Sequence, residues 1–260
     1  MHAYDRTGNP QHWVPTTTKN ATSDTRPTTI KDIVKHGWLP SVTGIIGPLR
    51  RWGLEQWIIG QHIQTCWEAD EKGTLDEYEA RIRRETDRRL AEAPEKGSDI
   101  HAAIEAWLVG LPHDKTYQRY VDAFSKWHAE NVKEVILSEA NVVGDGYAGR
   151  LDLLYRRPNG DVVLADIKTS GKPKPYPEWG YQLAAYQEAV YHSSALDHAL
   201  KGVSPVNVCQ SIMLDTSKGR EGKLTTHDWL VEEIDRSWDV FCHLFDIWVL
   251  TNDYDPRQRV

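Results

Sequence analysis

The hydrophobic pattern changes period along the chain. Residues 1–30 show no period; Thr, Asn and Pro dominate, and the segment reads as a flexible or loosely docked polar arm. From Ile30 to about Leu90 apolar positions recur at helical spacing, Trp52, Trp57, Ile58 and Ile63 among them. A second organisation begins at Gly97. Ser98 is placed to cap a helix that carries Ile100, Ile104, Trp107 and Leu108 on one side, and Tyr117–Asn131 reads as another helix. The period then drops to two. Strands are predicted over Glu134–Val143, Gly146–Arg157 and Asp161–Thr169, the last two joined by the turn Pro158-Asn159-Gly160. After a Gly/Pro/Lys loop the pattern predicts a helix near Trp179–His192, a strand over Val206–Leu214, the start of a fifth strand over Gly222–Thr226, and a helix from Val231 to Leu250. The stripe Ile234, Trp238, Phe241, Phe245 and Trp248 assigns that last helix to the core. The order predicts a mixed α/β domain with an antiparallel start and at least one crossover. The expected division is a polar arm over 1–30, a helical appendage over 31–96 and an α/β core over 97–260.

Composition narrows the class. With 40% hydrophobic and 27% charged residues, a packed core is feasible and wholesale disorder is not expected. No apolar run has the length of a membrane span; the stretch from Phe241 to Leu250 is broken by His243 and Asp246. The N-terminus lacks a basic-then-apolar signal pattern, so a cytoplasmic protein is expected. Cys66, Cys209 and Cys242 lie far apart and form no CxxC, which reads as three reduced thiols and disfavours a cysteine-ligated zinc or iron–sulfur centre. A net charge of −7 argues against nonspecific coating of a polyanion but is compatible with a locally basic cleft.

Chemistry concentrates in one stretch. Strand alternation puts Asp166 and Lys168 on one face and turns Ile167 to the other. Asp152 sits on the preceding strand, and the tight turn between the strands can bring two carboxylates and an ammonium together. Phosphodiester hydrolysis needs such a set. Hard oxygen ligands hold Mg²⁺ or Mn²⁺. The cation offsets charge on the phosphate and lowers the pKa of a bound water. A lysine beside it can orient or deprotonate that water and stabilise the transition state. A lone Asp-x-Lys is more often an ordinary strand with solvent-facing charges. Three neighbouring features shift that balance: Gly149-x-x-Asp152 before it, the turn, and Gln182-x-x-x-Tyr186 after it. Glu139, on the strand before Asp152, faces either the cleft or solvent.

In this order and spacing the motifs resemble those of the PD-(D/E)XK nuclease superfamily, and within it the RecB-like exonuclease branch. There a Gly-x-x-x-His helix precedes the sheet, matched here by Gly97-Ser98-Asp99-Ile100-His101. The resemblance covers roughly Gly97–Leu214. It implies a restriction-endonuclease-like core, a mixed central sheet flanked by helices, here with an N-terminal helical appendage. It implies His101, Asp152, Asp166 and the main-chain carbonyl of Ile167 as metal ligands, with Asp152, Asp166 and Lys168 the catalytic set. Gln182 and Tyr186, one helical turn apart, would contact substrate or support the catalytic residues. Glu105 shares the His101 face and could assist it. Leu151 stands where the superfamily name has proline. The cysteine cluster of iron–sulfur relatives is absent, so no such cluster is expected.

The resulting expectation is Mg²⁺- or Mn²⁺-dependent DNA cleavage, exonucleolytic, in bacterial or phage recombination, repair or replication. The alternatives are an endonuclease on the same fold and a catalytically silent nucleic-acid-binding module. Arg81, Arg83, Arg84, Arg88 and Arg89 in Asp76–Leu90 read as a solvated helix face first and a DNA-facing helix second. Trp38, Trp52, Trp57 and Trp67 lie near Arg50 and Arg51; such a mixture suits a single strand or a frayed end, although core packing is the plainer assignment for most of the tryptophans. The basic loop Lys168–Lys174 could touch the substrate backbone.

Overall fold

The computed structural model describes all residues except 17–22, 50–51, 70–72, 194–195 and 259–260. Arg50 and Arg51 therefore lie outside the described residues. The chain forms two compact units, Met1–Pro48 with Asp122–Val260, and Leu49–Val121.

The first unit is a mixed α/β domain built on a five-stranded sheet. Its N-terminal part holds β1 (Ala3–Tyr4), β2 (Trp13–Pro15), β3 (Thr25–Pro27), α1 (Ile30–His36), β4 (Leu39–Pro40) and α2 (Val42–Ile46). Residues 1–30 were expected to form a flexible or loosely docked arm. Instead β1 pairs with β4, and Ala3 and Tyr4 are buried, Tyr4 in a cluster with Leu39 and Ala148. Short apolar insertions in a polar stretch carry no period, which is why the pattern missed them. At the start of α1 the N–H and hydroxyl of Thr29 both donate to Asp32, which also takes a bidentate pair from Arg26.

The second unit carries α3 (Trp52–Glu68) and α4 (Leu75–Leu108). Helix α4 corrects two expectations. It runs without interruption through Pro94 and Gly97, so the boundary expected at residue 97 falls inside a helix. Ser98 is not a cap; its hydroxyl donates back to the carbonyl of Pro94 at 3.1 Å. The cap is Thr74, which accepts from the N–H of Glu77 while the Glu77 carboxylate accepts from Thr74. A proline inside a helix costs about 3 kcal/mol, and the preceding turns offset part of that with pairs at helical spacing. Arg83 meets Glu79, Arg88 meets Glu85 and Glu92, and Arg89 meets Glu85 and Glu68. Arg83 and Arg88 are exposed, whereas the Arg89 side chain is only 19% exposed. The tryptophans divide: Trp38 is half-buried in the first unit and stacks on His36, whereas Trp67 on α3 is 90% exposed and is not core.

Helix α5 (Gln118–Asn131) leads into the sheet. Its strands are β5 (Glu134–Val143), β6 (Ala148–Arg156), β7 (Val162–Ser170), β8 (Val208–Asp215) and β9 (Leu224–Trp229), in that spatial order. β5, β6 and β7 are antiparallel neighbours, β7 and β8 are parallel, and β9 returns antiparallel to β8. Helix α6 (Pro177–His192) makes the crossover that a parallel pair requires, and α7 (Val231–Asn252) packs against it. The β6–β7 register is set by the predicted turn. Arg157 N–H bonds Asp161 O at 2.8 Å, Gly160 N–H bonds Arg157 O at 3.0 Å, and Gly160 takes the φ of +100° that such a turn demands. Val162–Ile167 is buried throughout, as a central strand covered on both faces must be. The α7 stripe is core as expected, with Ile234, Phe241, Phe245 and Trp248 buried and Trp238 stacked on Phe241. Among the described residues, no helix is long and apolar enough to cross a membrane.

Candidate active site

The sheet forks where the polar residues begin. β6 and β7 pair from Arg156–Val162 to Leu153–Ala165 and no further, while β6 continues beside β5 to Ala148 and β7 continues beside β8 to Ser170. Past the last paired residue a side chain takes over from the ladder: the N–H of Ile167 donates to Asp152 Oδ2 at 2.7 Å. The N–H and C=O of one strand residue point to the same side, so the Ile167 carbonyl faces the fork as well.

Asp166 is buried, its side chain 3% exposed, and both of its oxygens are engaged. Lys168 Nζ lies 2.6 Å from Oδ2, and Gln182 Nε2 donates to Oδ1 at 2.9 Å. Gln182 Oε1 in turn accepts from Lys168 Nζ at 2.9 Å. One amide thus satisfies a carboxylate with its nitrogen and an ammonium with its oxygen, and it fixes the separation of the two charges. A lone buried carboxylate would be expensive; here the ammonium and the amide supply what water would have supplied.

Tyr186 completes this wall from one turn along α6, with its hydroxyl 3.2 Å from Gln182 Nε2. Burial pushes its phenol far above the ordinary range, and the nearby Asp166 and Asp152 carboxylates push the same way, so it stays neutral. The ring packs on the backbone of β6 at Gly149. A Cβ there would sit 2.5 Å from Tyr186 Cε1, which gives the glycine of Gly-x-x-Asp a steric reason.

Glu139 faces Asp152 from β5. Pairing skips it, with Ser138 opposite Leu153 and Ala140 opposite Leu151, and its φ is +50°. For a residue with a Cβ that backbone is strained by about 1–3 kcal/mol. Arg150 Nε holds the strained residue by its carbonyl at 3.1 Å and by its carboxylate at 2.7 Å. A carboxylate oxygen of Glu139 and one of Asp152 lie within 4.8 Å of each other, close enough to share a cation. The alternation of β5 left the direction of Glu139 open, since a left-handed residue inside a strand leaves no trace in a period-two pattern.

The fold therefore brings together Asp152, Asp166, Ile167, Lys168, Gln182 and Tyr186. His101 and Glu105 belong to the other unit, one turn apart on α4 and both half-buried. The oxygen donors at the fork are hard ligands suited to Mg²⁺ or Mn²⁺. A carboxylate offers about four lone-pair sites, so Asp166 retains acceptor capacity beyond its hydrogen bond from Gln182 and its ion pair with Lys168. The three cysteines are free, and burial pushes the Cys209 thiol up to about 12.

No protein-family model and no curated protein matches the chain. Among solved structures it has a slight likeness to LHK-Exo in complex with dAMP, with 16% identity over 60% of this chain and 82% of that one and a TM-score of 0.32. A protein of Eubacterium rectale assigned as an exonuclease is 11% identical over 71% of this chain and 70% of that one, with a TM-score of 0.35. Likenesses this slight leave the reading of the site to its own geometry.

Proposed function

We propose that this chain is a metal-dependent nuclease that hydrolyses the phosphodiester backbone of DNA, acting from strand ends. The observation that carries the reading is the fork itself: Asp152 capping Ile167 N–H across the gap, beside a buried Asp166 locked to Lys168 through Gln182. Asp152, Asp166 and the Ile167 carbonyl are the proposed ligands of Mg²⁺ or Mn²⁺, and His101 joins them on the strength of the Gly97–His101 motif. When bound, such a cation offsets phosphate charge and acidifies water. Lys168 presents an ammonium at the same place and stabilises negative charge as it builds on the phosphate. Gln182 keeps that ammonium aimed, and Tyr186, neutral and buried, keeps Gln182 aimed. Glu105 is proposed to support His101.

The test is a time course on end-labelled single- and double-stranded DNA with Mg²⁺ or Mn²⁺, beside the same strand as a closed circle. Mononucleotides or short products from the linear strand and an intact circle are expected. A circle cut as fast as the linear strand makes the protein an endonuclease. No cleavage of any substrate, with binding retained, leaves the silent binding module.

A further inference from the structure

The loop between β7 and α6 reads Lys172-Pro173-Lys174-Pro175-Tyr176-Pro177. Each of Lys172, Lys174 and Tyr176 precedes a proline, and a residue before proline is driven to extended backbone. Tyr176 shows it, with φ −113° and ψ 142°. Extended backbone of this kind spaces Lys172, Lys174 and Tyr176 about 6–7 Å apart along the loop. The proline rings remove most of the loop's freedom before anything binds. The result is a stiff strap whose projecting groups are two exposed ammonium ions and a phenol ring.

The strap ends at a second ring. Tyr176 and Trp179 meet edge to face with centroids 5.0 Å apart. Their helix turn is anchored, because a Cβ on Gly180 would lie 2.9 Å from Ser237 Oγ and 3.2 Å from Trp229. Both rings lie close to cations: Lys174 Nζ is 5.4 Å from the Tyr176 centroid and Lys168 Nζ is 5.8 Å from the Trp179 centroid. The second of these contacts ties the strap directly to the proposed active site. Since β7 and β8 are parallel, the loop after β8 emerges at the same end of the sheet, with Thr216 N–H on Ser170 O at 2.9 Å. That loop carries exposed Lys218, Arg220 and Lys223, of which Arg220 is ion-paired with Asp215 at 3.1 Å. In a chain of net charge −7, this end of the sheet gathers cations beside two aromatic rings.

We propose that the strap Lys172–Trp179 is a sequence-independent binding site for single-stranded DNA leading to or from the cleavage site. Bases stack on Tyr176 and Trp179, and phosphates lie against Lys172 and Lys174, with the β8–β9 loop as the opposite bank. This inference rests on the nuclease reading for what happens at Lys168, but the strap's occupancy is measured without cleavage. The experiment is equilibrium binding of a fluorescent oligo(dT) to the full chain in chelator, over a range of salt, beside an abasic strand of equal length and oligo(rU). Tyr176→Ala and Trp179→Ala should each weaken oligo(dT) binding about 5- to 150-fold, the range for losing one stacked base. Tyr176→Phe and Trp179→Phe should retain most of the affinity, which separates stacking from damage to the helix start. Tyr176→Ala should make no difference on the abasic strand. The Lys172→Ala, Lys174→Ala double variant should lower the salt slope by about 1.4, or 0.7 per phosphate contact on a single strand. Unchanged affinity in the alanine variants, or an unchanged salt slope, overturns the strap while a cleaving wild type keeps the nuclease. Binding that tracks the strap in a protein that cleaves nothing overturns the nuclease reading and keeps the strap. A wild type that binds no single strand overturns both, and tighter binding to oligo(rU) than to oligo(dT) replaces DNA as the occupant.

Discussion

Strand β7 has two halves with different jobs. Val162–Ala165 is apolar, buried and paired on both edges, to β6 and to β8. From Asp166 onward β8 is still alongside but β6 is gone, and side chains supply the contacts the ladder gave up. The first half holds the sheet together through burial that any similar apolar residue would supply. The second half depends on particular atoms: an acid at 152 to cap an N–H, an amide at 182 to separate two charges. A backbone ladder engages its own N–H and C=O groups, so a sheet turns main-chain groups toward a side chain or a cation most readily where a pairing stops.

Substitutions in the two halves should separate. Leu164→Ala, at a fully buried position in the paired half, should cost about 2–5 kcal/mol of stability by leaving a cavity. Cleavage per folded molecule should stay near wild type, as read by denaturant melts beside rates normalised to folded protein. Lys168→Ala should do the reverse at the level of rate, lowering cleavage by about 10²–10³-fold. It should also lower stability, because Asp166 keeps a buried charge without its ammonium. Adding Asp166→Asn to Lys168→Ala should recover stability but not activity. Were Leu164→Ala to abolish cleavage in the folded fraction, or Lys168→Ala to leave it intact, the two halves would not be distinct.

The glycine behind the fork gives a smaller, mixed effect. Gly149→Ala puts a methyl 2.5 Å from the Tyr186 ring. Overpacking of this size costs about 1–3 kcal/mol, and a shift of the ring to relieve it disturbs the 3.2 Å contact of its hydroxyl with Gln182. Stability and rate should fall together, as in Lys168→Ala, but the rate by less. Thermal melts and cleavage rates of Gly149→Ala check this; a normal rate with reduced stability would mean that Tyr186 does not position Gln182.

How much of this was readable beforehand follows the same division. The turn at Pro158–Gly160, the apolar run of β7 and the stripe of α7 are local patterns with fixed periods, and they located the sheet and the Asp-x-Lys strand within a residue or two. Asp166 and Lys168 on one face follow from alternation alone. The fork does not, because the end of a pairing depends on where two strands diverge in space. Nor does the role of Gln182, which lies 16 residues from Asp166 and reaches it only through the crossover. The strain at Glu139 and the contact of Gly149 with Tyr186 are likewise tertiary. Helix α4 misled in the other direction: a new organisation was expected to begin at Gly97 with Ser98 as its cap, and the helix runs through both. Its capping box at Thr74 was the better local signal, and the solvated ion pairs that follow it favour continuation.

The finest probe of the parted half is one hydroxyl. Tyr186→Phe keeps the ring against Gly149 and removes only the contact with Gln182, a hydrogen bond whose net worth is about 0.5–1.5 kcal/mol. Cleavage should fall no more than about tenfold if that loss is felt entirely in the aim of Lys168, since 1.4 kcal/mol is a tenfold change. The pH dependence gives the sign. In the folded protein the phenol stays neutral well past its ordinary pKa of 10, because burial and the two aspartates oppose its ionisation. In the unfolded chain it ionises near 10. Below that pH both states hold the proton, and Tyr186 adds no pH dependence to stability or rate. Above it the unfolded state alone loses the proton, so stability falls as pH rises. Tyr186→Phe should therefore leave the cleavage profile between about pH 6 and 9 unchanged in shape, and should make the fold less sensitive to alkali than the wild type. Part of the alkaline sensitivity should persist, since burial also raises the phenols of Tyr147 and Tyr155. Melting curves from pH 8 to 11 on the two proteins read this out directly. A Tyr186→Phe variant whose stability falls with alkali as steeply as the wild type would mean that the phenol is not held neutral at the fork.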